Sequence, residues 1–209
     1  MFRRPLLLIA LLSPALLGAS GWYYLTRPFE PQHATPRELC VWLLQNDASA
    51  ATPQLQTELF ERCRCELVGP ESAIDWQELG KALRSVEPEQ RATWNRNVRW
   101  WCRAWWLSEG RAYTLVAIVE RAAYLKAKLA QWSTNEWVAL SKLRRAGEAS
   151  VDSESAPAAA PSSLAEWTVE IESWIASAPL AEQPDLQDFW AALRWQLLMQ
   201  PHLWKSLTG

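Results

Sequence analysis

The sequence predicts an all-α protein: one apolar helix at the N-terminus, then an exported helical bundle and a helix pair that follows a linker. Three observations lead to this class. Glycine is rare, at 7 of 209 residues, whereas the helix formers Ala, Leu, Glu, Arg and Gln are common. Apolar residues recur every three or four positions, as on a helix with one buried face. No stretch shows the strict alternation that is typical of a half-buried strand.

The first 27 residues predict a membrane anchor. An arginine pair precedes an apolar run from residue 5 to residue 25, and these 21 residues can cross about 30 Å of hydrocarbon as a helix. Aromatic side chains follow where such a helix would leave the bilayer. The expected interface residues are Arg3, Arg4, Trp22, Tyr23 and Tyr24. A cleaved signal peptide is the alternative, with the small residues 19–21 as its cleavage site.

The charges around this run predict its orientation. Arg3, Arg4 and the α-amine outweigh the scattered Arg27 and Arg37, so we expect the N-terminus in the cytoplasm and the rest of the chain outside. An arginine pair before a short apolar run is typical of a bacterium. The expected location is therefore the bacterial inner membrane, single-pass, with the bulk in the periplasm. If the run is cleaved, the protein is secreted or periplasmic.

Residues 28–146 are expected to form the helical bundle. Thr35 and Thr52 each stand before a proline, which places an N-cap before the first helical position. These two starts predict a helical hairpin over 36–46 and 53–67.

Residues that typically begin or end helices predict the next helices of the bundle. Gly69 stops the second helix, and the spacing of Asp75 and Glu78 matches a capping box that opens a helix to about residue 86. Pro88 opens a long helix, which Gly110 is expected to close. A heptad seam then predicts another helix, with Leu115, Ile118, Ala122, Leu125, Leu129 and Trp132 on one face. Ser133 and Glu136 cap one more helix.

The four cysteines predict disulfides, because an even count is typical of an exported protein and allows three pairings. Cys63 and Cys65 are two residues apart on one helix, so their side chains point away from each other. The hairpin brings Cys40 opposite residues 60–63. This favours a Cys40–Cys63 bridge and leaves Cys65 for Cys102; the swapped pairing and unbridged thiols are the alternatives. The spacing of zinc sites and the covalent haem motif are both absent, so we expect no metal and no cofactor.

The C-terminal part predicts a contact segment on a tether. Residues 147–163 are polar and rich in Pro and Ala, as in a flexible linker, and residues 164–209 hold two helices. The apolar stripes of these helices are Leu164, Trp167, Ile171, Trp174 and Ile175, then Leu186, Phe189, Trp190, Leu193 and Leu197. Trp195, Leu198 and Met199 leave the second stripe. A helix that is apolar nearly all round is either centrally buried or holds a partner, and we expect a partner here.

The segment 94–107 carries an unusual density of tryptophan and arginine. At 100° per residue, Trp94, Trp101 and Trp105 share one face, which predicts a core. The residues expected to form a second, partner-contact surface are Trp100, Trp106, Arg96, Arg99 and Arg103. Alternatively, this surface is covered by this chain's own helices, by anionic lipid headgroups or by a single-stranded nucleic acid.

The charge distribution favours a cover from the same chain. Residues 91–145 carry 11 basic and 3 acidic side chains, a net charge of +8. The flanking segments are acidic, with 5 basic and 11 acidic side chains over 29–90 (−6) and 2 basic and 9 acidic side chains over 146–209 (−7). Opposite charges on docking segments raise encounter rate and specificity.

No catalytic motif is present in the sequence. His33 and His202 stand apart, and the serine-nucleophile, phosphate-loop and zinc-protease motifs are missing. We therefore expect a non-enzymatic structural or accessory subunit of a membrane-associated assembly, in contact with lipid through its anchor and with other protein subunits through Trp-rich faces. No nucleic-acid partner is expected. The alternative is an exported binding module for a small apolar ligand, pigment or glycan.

Overall fold

The computed structural model describes residues 29–68, 75–134, 164–200 and 202–203, and every regular element in these ranges is helical. The predicted all-α class is confirmed for them. The α-helices are α1 (Pro36–Gln45), α2 (Pro53–Cys63), α3 (Trp76–Ser85), α4 (Pro88–Thr114), α5 (Arg121–Thr134), α6 (Leu164–Ala176) and α7 (Gln183–Met199). None of the helices in these ranges is long and apolar enough to cross a membrane. The predicted anchor, with Arg3, Arg4, Trp22, Tyr23 and Tyr24, lies outside the described residues, as does the predicted linker 147–163.

The predicted helix starts are confirmed in atomic detail. The Thr35 hydroxyl accepts a hydrogen bond from the Glu38 backbone N–H at 3.3 Å, and the Glu38 carboxylate accepts one from the Thr35 N–H at 2.8 Å. The Thr52 hydroxyl caps α2 by accepting from the Leu55 N–H at 3.4 Å, and the Asp75 carboxylate caps α3 by accepting from the Glu78 N–H at 3.1 Å. Each cap satisfies N–H groups that a helix leaves without an internal partner. Beyond Cys63 the chain continues as a π-helical turn to Val68.

The long helix α4 does not end at Gly110, so that prediction is wrong. The helix continues to Thr114, and Gly110 lies buried where α7 crosses it. A Cβ atom on Gly110 would lie only 2.6 Å from Leu186 Cδ2 and 3.1 Å from Phe189 Cδ1. The missing side chain lets the two helices approach closely, which is another use of glycine than ending a helix.

The predicted heptad seam is correct only in its second half. Leu125, Leu129 and Trp132 are buried on α5, but that helix begins at Arg121. Ala122 is exposed on its first turn. Leu115 and Ile118 lie in the preceding turn and are 88% and 80% exposed. The apolar spacing therefore continues through a segment that is not α-helical: a turn after Thr114 and a short 3-10 helix at Ile118–Glu120. The helix expected after Ser133 lies almost wholly outside the described residues.

The C-terminal helices pack back on α4 of the same chain. The buried residues of α7 are Leu186, Phe189, Trp190, Leu193 and Leu197, which is the predicted stripe. On α6, Ile171, Trp174 and Ile175 are buried and Trp167 is half-buried. The inner face of the predicted contact segment therefore belongs to the core, and only its outer face is available to a partner.

A buried amide connects the N-terminal hairpin to α4. The Asn97 side chain donates hydrogen bonds to the Leu43 carbonyl at 2.6 Å and the Asn46 carbonyl at 2.7 Å, and it accepts one from the Ala48 N–H at 2.8 Å. The Leu43 carbonyl is among the last four of α1, which have no partner within the helix. Asn97 thus caps α1 and holds the turn after it against α4.

Candidate contact sites

The tryptophans and arginines of segment 94–107 all lie on α4, and the structure places them in different surroundings. The predicted core face is confirmed, because Trp94, Trp101 and Trp105 are all buried. Trp101 stacks on Phe60 at a centroid distance of 5.7 Å, and its indole N–H donates to the Phe60 carbonyl at 3.3 Å. These contacts join α2 to α4.

Trp106 belongs to the core and not to a partner surface. It is only 3% exposed. Its ring lies 5.3 Å from the ring of Phe189, 6.3 Å from that of Trp174 and 6.5 Å from that of Trp190, measured between centroids. Since α6 and α7 of the same chain cover Trp106, the expected partner contact at this residue is corrected to an intramolecular one.

The three arginines have different surroundings. Arg96 lies 3.5 Å from the Asp47 carboxylate, and hydrogen bonds from Ser49, together with Arg96, hold the pKa of Asp47 below its usual value. Arg103 donates to the Ser177 hydroxyl at 2.8 Å. Arg99 is exposed. The contacts of Arg96 and Arg103 reach back to the hairpin and forward to the C-terminal helices.

A second ion pair supports the docking that the charge distribution predicted. Arg111 Nε lies 2.9 Å from a Glu182 oxygen, so the basic centre of the chain meets its acidic C-terminal part. Both side chains are partly exposed, and such a pair stabilises the fold by about 1 kcal/mol or less. Its main consequence is therefore orientation of α7 on α4.

A groove of about 540 Å³ lies between α2 and the middle of α4. Phe60, Trp100 and Leu107 contribute apolar surface to it, and Arg103 and Arg111 contribute positive charge. Trp100 is half-buried, so part of its ring is accessible. Two of the five residues predicted as a contact surface, Trp100 and Arg103, thus line one cavity.

Among the residues whose burial the structure describes, the outer face of α7 carries the most exposed tryptophan. Trp195 is 61% exposed, and Leu198 and Met199 beside it are 55% and 63% exposed. Residues three and four positions apart are neighbours on a helix surface, so these three side chains form one patch. We call it the α7 outer patch. Its exposure agrees with the prediction that these residues leave the buried stripe, and their contact with a partner stays a prediction.

The turn between α4 and α5 exposes a second group of apolar side chains. Leu115, Ile118 and Val119 are each at least 80% exposed. The turn is held from behind by Arg121, whose guanidinium donates to the Thr114 carbonyl at 3.1 Å and lies 5.1 Å from the centre of the Tyr113 ring. The predicted heptad seam places Leu115 and Ile118 on a buried face, whereas both are exposed.

Glu109 is a buried charge that the sequence did not single out. Its side chain is 5% exposed and lies 3.2 Å from Lys128 and 3.8 Å from Arg64. Removing a carboxylate from water is costly, and two cations offset that cost here. The signal in the sequence is weak, because only the tertiary fold brings the turn after α2 together with α4 and α5 at this point.

The four cysteines lie within the described residues, and no disulfide joins their sulfur atoms. Cys63 is buried, Cys40 and Cys102 are half-buried and Cys65 is exposed. Burial raises the pKa of Cys40 to about 11, and burial together with nearby Cys40 raises that of Cys63 further. Cys63 belongs to the hydrophobic core, and Cys40 packs against the same core. The Cys40–Cys63 and Cys65–Cys102 bridges stay predictions.

In fully reduced protein, Cys65 should be alkylated by iodoacetamide well before Cys40 and Cys63. The thiolate is the reactive form, so the rate at Cys40 should rise about tenfold per pH unit until the pH approaches its pKa. Peptide mapping after timed labelling between pH 7 and pH 10 measures this order. Equal rates at the three cysteines would contradict the burial described here. The same mapping without reductant tests the predicted bridges.

The described residues contain no group of three or more His, Cys, Asp or Glu side chains that could hold a metal ion. His33 and His202 are both exposed. No family model, curated protein or solved structure matches this chain. The described part of the molecule is an all-α bundle whose surface carries the groove, the α7 outer patch and the exposed apolar turn between α4 and α5.

Proposed function

We propose that the chain is a non-enzymatic accessory subunit of a membrane-associated protein assembly. One N-terminal helix tethers it to the bacterial inner membrane, the bundle lies in the periplasm, and the α7 outer patch contacts a neighbouring subunit. The observation that carries the proposal is the 61% exposure of Trp195 beside the exposed apolar side chains of Leu198 and Met199, one turn further along α7. Tryptophan is enriched among the residues that dominate binding energy at interfaces.

The inner face of α7 makes this patch a rigid one. Leu193 and Leu197 lie in the core on the opposite side of the same helix, and Trp190 packs against Trp106 at 6.5 Å. A partner would therefore bind Trp195 on a helix that is already folded and docked. Binding to a preformed surface avoids the cost of ordering it.

Replacing Trp195 with alanine should reduce association without reducing stability. Loss of an interface tryptophan that dominates binding costs about 2 kcal/mol or more, which raises Kd about 30-fold. An exposed substitution changes the free energy of unfolding by about 0.5 kcal/mol or less. The measurement is the amount of each protein recovered with the full chain after gentle solubilisation of native membranes, together with urea unfolding of the purified variant.

Leu180→Ala is the matched control, because Leu180 is another exposed apolar residue, 83% exposed in the turn before α7. It should leave the recovered proteins unchanged. If Trp195→Ala and Leu180→Ala retain the same proteins in the same amounts, the α7 outer patch is not the contact. A Trp195→Ala variant that unfolds at much lower urea would also contradict the proposal.

A further inference from the structure

We propose that the groove between α2 and α4 binds a small amphiphilic acid, a molecule with an aromatic or extended apolar body and one carboxylate-type group. This site is separate from the proposed protein contact, because its residues belong to α2, α4 and the turn before α2, whereas the α7 outer patch lies on α7. The ligand class follows from two halves of the groove, one apolar and one cationic. It narrows the small apolar ligand that the sequence left as an alternative.

The apolar half of the groove is fixed in shape. The Phe60 ring is stacked on Trp101 at an interplanar angle of 25°, and the Phe60 carbonyl is held by the Trp101 indole N–H. Trp100 and Leu107 face the same space from α4. The volume of about 540 Å³ lies within the range of sites that bind small molecules, roughly 300–1,000 Å³. A preformed apolar wall of this kind suits a ring or an alkyl chain.

The cationic half is provided by Arg103. Among the residues that the structure describes, no carboxylate lies within 4.0 Å of its guanidinium, whose one hydrogen bond there is the 2.8 Å contact with the neutral Ser177 hydroxyl. Arg111 differs, because Glu182 already neutralises it at 2.9 Å. Arg103 therefore retains donors for an incoming acid, and guanidinium–carboxylate hydrogen bonds are among the stronger ones.

The third charge in the groove limits the ligand to one acid group. Glu61 lines the groove and is exposed, so the lining side chains carry two positive charges and one negative charge. Because Arg111 is paired with Glu182, a second acid group on the ligand would meet Glu61 without a free cation beside it. A monoanion whose acid group lies at Arg103 and whose apolar body lies along Trp100 fits this arrangement.

Photolabelling of the full chain tests the proposal with a matched pair of probes. The probes are 4-benzoylbenzoate and its neutral analogue 4-benzoylbenzamide, which share the same rings and differ in the acid group. Labelled positions are mapped by mass spectrometry, and the yield in 53–61 and 100–111 is divided by the yield at Met199. Met199 is 63% exposed on α7 and reports labelling outside the groove.

The acid probe should label the groove above the Met199 reference, and Arg103→Gln should reduce this labelling about tenfold while the amide probe is little affected. Trp100→Ala should reduce labelling by both probes. Arg99→Gln is the control, since it removes a positive charge one turn earlier on α4 and outside the groove. Equal effects of Arg103→Gln and Arg99→Gln, or groove labelling no higher than the reference, would overturn the proposal.

Discussion

Replacing Trp106 with alanine should lower the free energy of unfolding by about 3–5 kcal/mol, as expected for truncation of a large buried aromatic side chain. The reason is its position under two helices. Its ring packs against Trp174 of α6 and against Phe189 and Trp190 of α7. The vacated space lies where the C-terminal helices meet α4, so docking of these helices should weaken first. Urea unfolding, followed by far-UV circular dichroism, measures the loss.

Trp106→Phe is the informative companion variant. It keeps a ring between the helices and removes an indole N–H that is buried without a hydrogen-bond partner in the described part of the chain. We therefore expect a loss well below that of Trp106→Ala. Trp195→Ala, on the exposed side of the same region, should change the free energy of unfolding by about 0.5 kcal/mol or less. Similar losses for Trp106→Ala and Trp195→Ala would contradict the division into a covered and an exposed tryptophan.

The features that the sequence predicts well are those set by local periodicity and local capping. Helix starts at Thr35, Thr52 and Asp75 depend on hydrogen bonds that span three residues, so they are readable in a short window. The buried stripe of α7 and the exposure of Trp195 follow from the 100° step alone. Such inferences need no knowledge of which other helix covers the face.

The features that it does not predict are properties of helix pairs. Trp106 and Trp100 both flank the arginine stripe in projection, but α6 and α7 cover only Trp106. Glycine is common at the end of a helix, but Gly110 lies where two helices cross. Only its close approach to Leu186 and Phe189 reveals this role. In both cases the decisive neighbour lies more than 60 residues away along the chain.

The exposed turn between α4 and α5 shows a different limit. Leu115 and Ile118 continue an apolar heptad spacing, yet the chain leaves the helix at Thr114 and resumes it at Arg121. Arg121 stabilises that turn by donating to the Val116 and Thr114 carbonyls. The apolar spacing therefore predicts a continuous helical face. In the structure, the Arg121 side chain holds this part of the backbone in a turn.

The two candidate sites also differ in whether local sequence patterns or tertiary contacts determine them. The α7 outer patch is exposed where the helical projection placed it, because only the orientation of one helix had to be correct. The groove requires α2 and α4 to be adjacent, and its cation depends on which arginine finds a carboxylate. Arg96 has Asp47 and Arg111 has Glu182, whereas Arg103 has the neutral Ser177 hydroxyl. These pairings arise from tertiary contacts and from no motif.

Replacing Asn97 with alanine should also cost about 3–5 kcal/mol, although the residue is small and polar. Its amide makes three hydrogen bonds of 2.6–2.8 Å to the backbone around the turn after α1, and the residue is buried. Alanine would leave the Leu43 and Asn46 carbonyls and the Ala48 N–H without these partners. Each buried group left unsatisfied costs about 1–3 kcal/mol. Urea unfolding measures the total.

Asn46→Ala is the control for this prediction, because it removes an exposed amide from the same turn. That amide donates one hydrogen bond to the Trp42 carbonyl at 3.1 Å, so its loss should cost about 1 kcal/mol or less. Hydrogen exchange locates the effect: in Asn97→Ala the Ala48 amide should lose its protection, while amides at the α4–α7 crossing keep theirs. If Asn97→Ala lowers the free energy of unfolding no more than Asn46→Ala does, water replaces the Asn97 amide as the partner of the three backbone groups. The hairpin would then be held to α4 by apolar contacts such as Phe60 on Trp101, and not by Asn97.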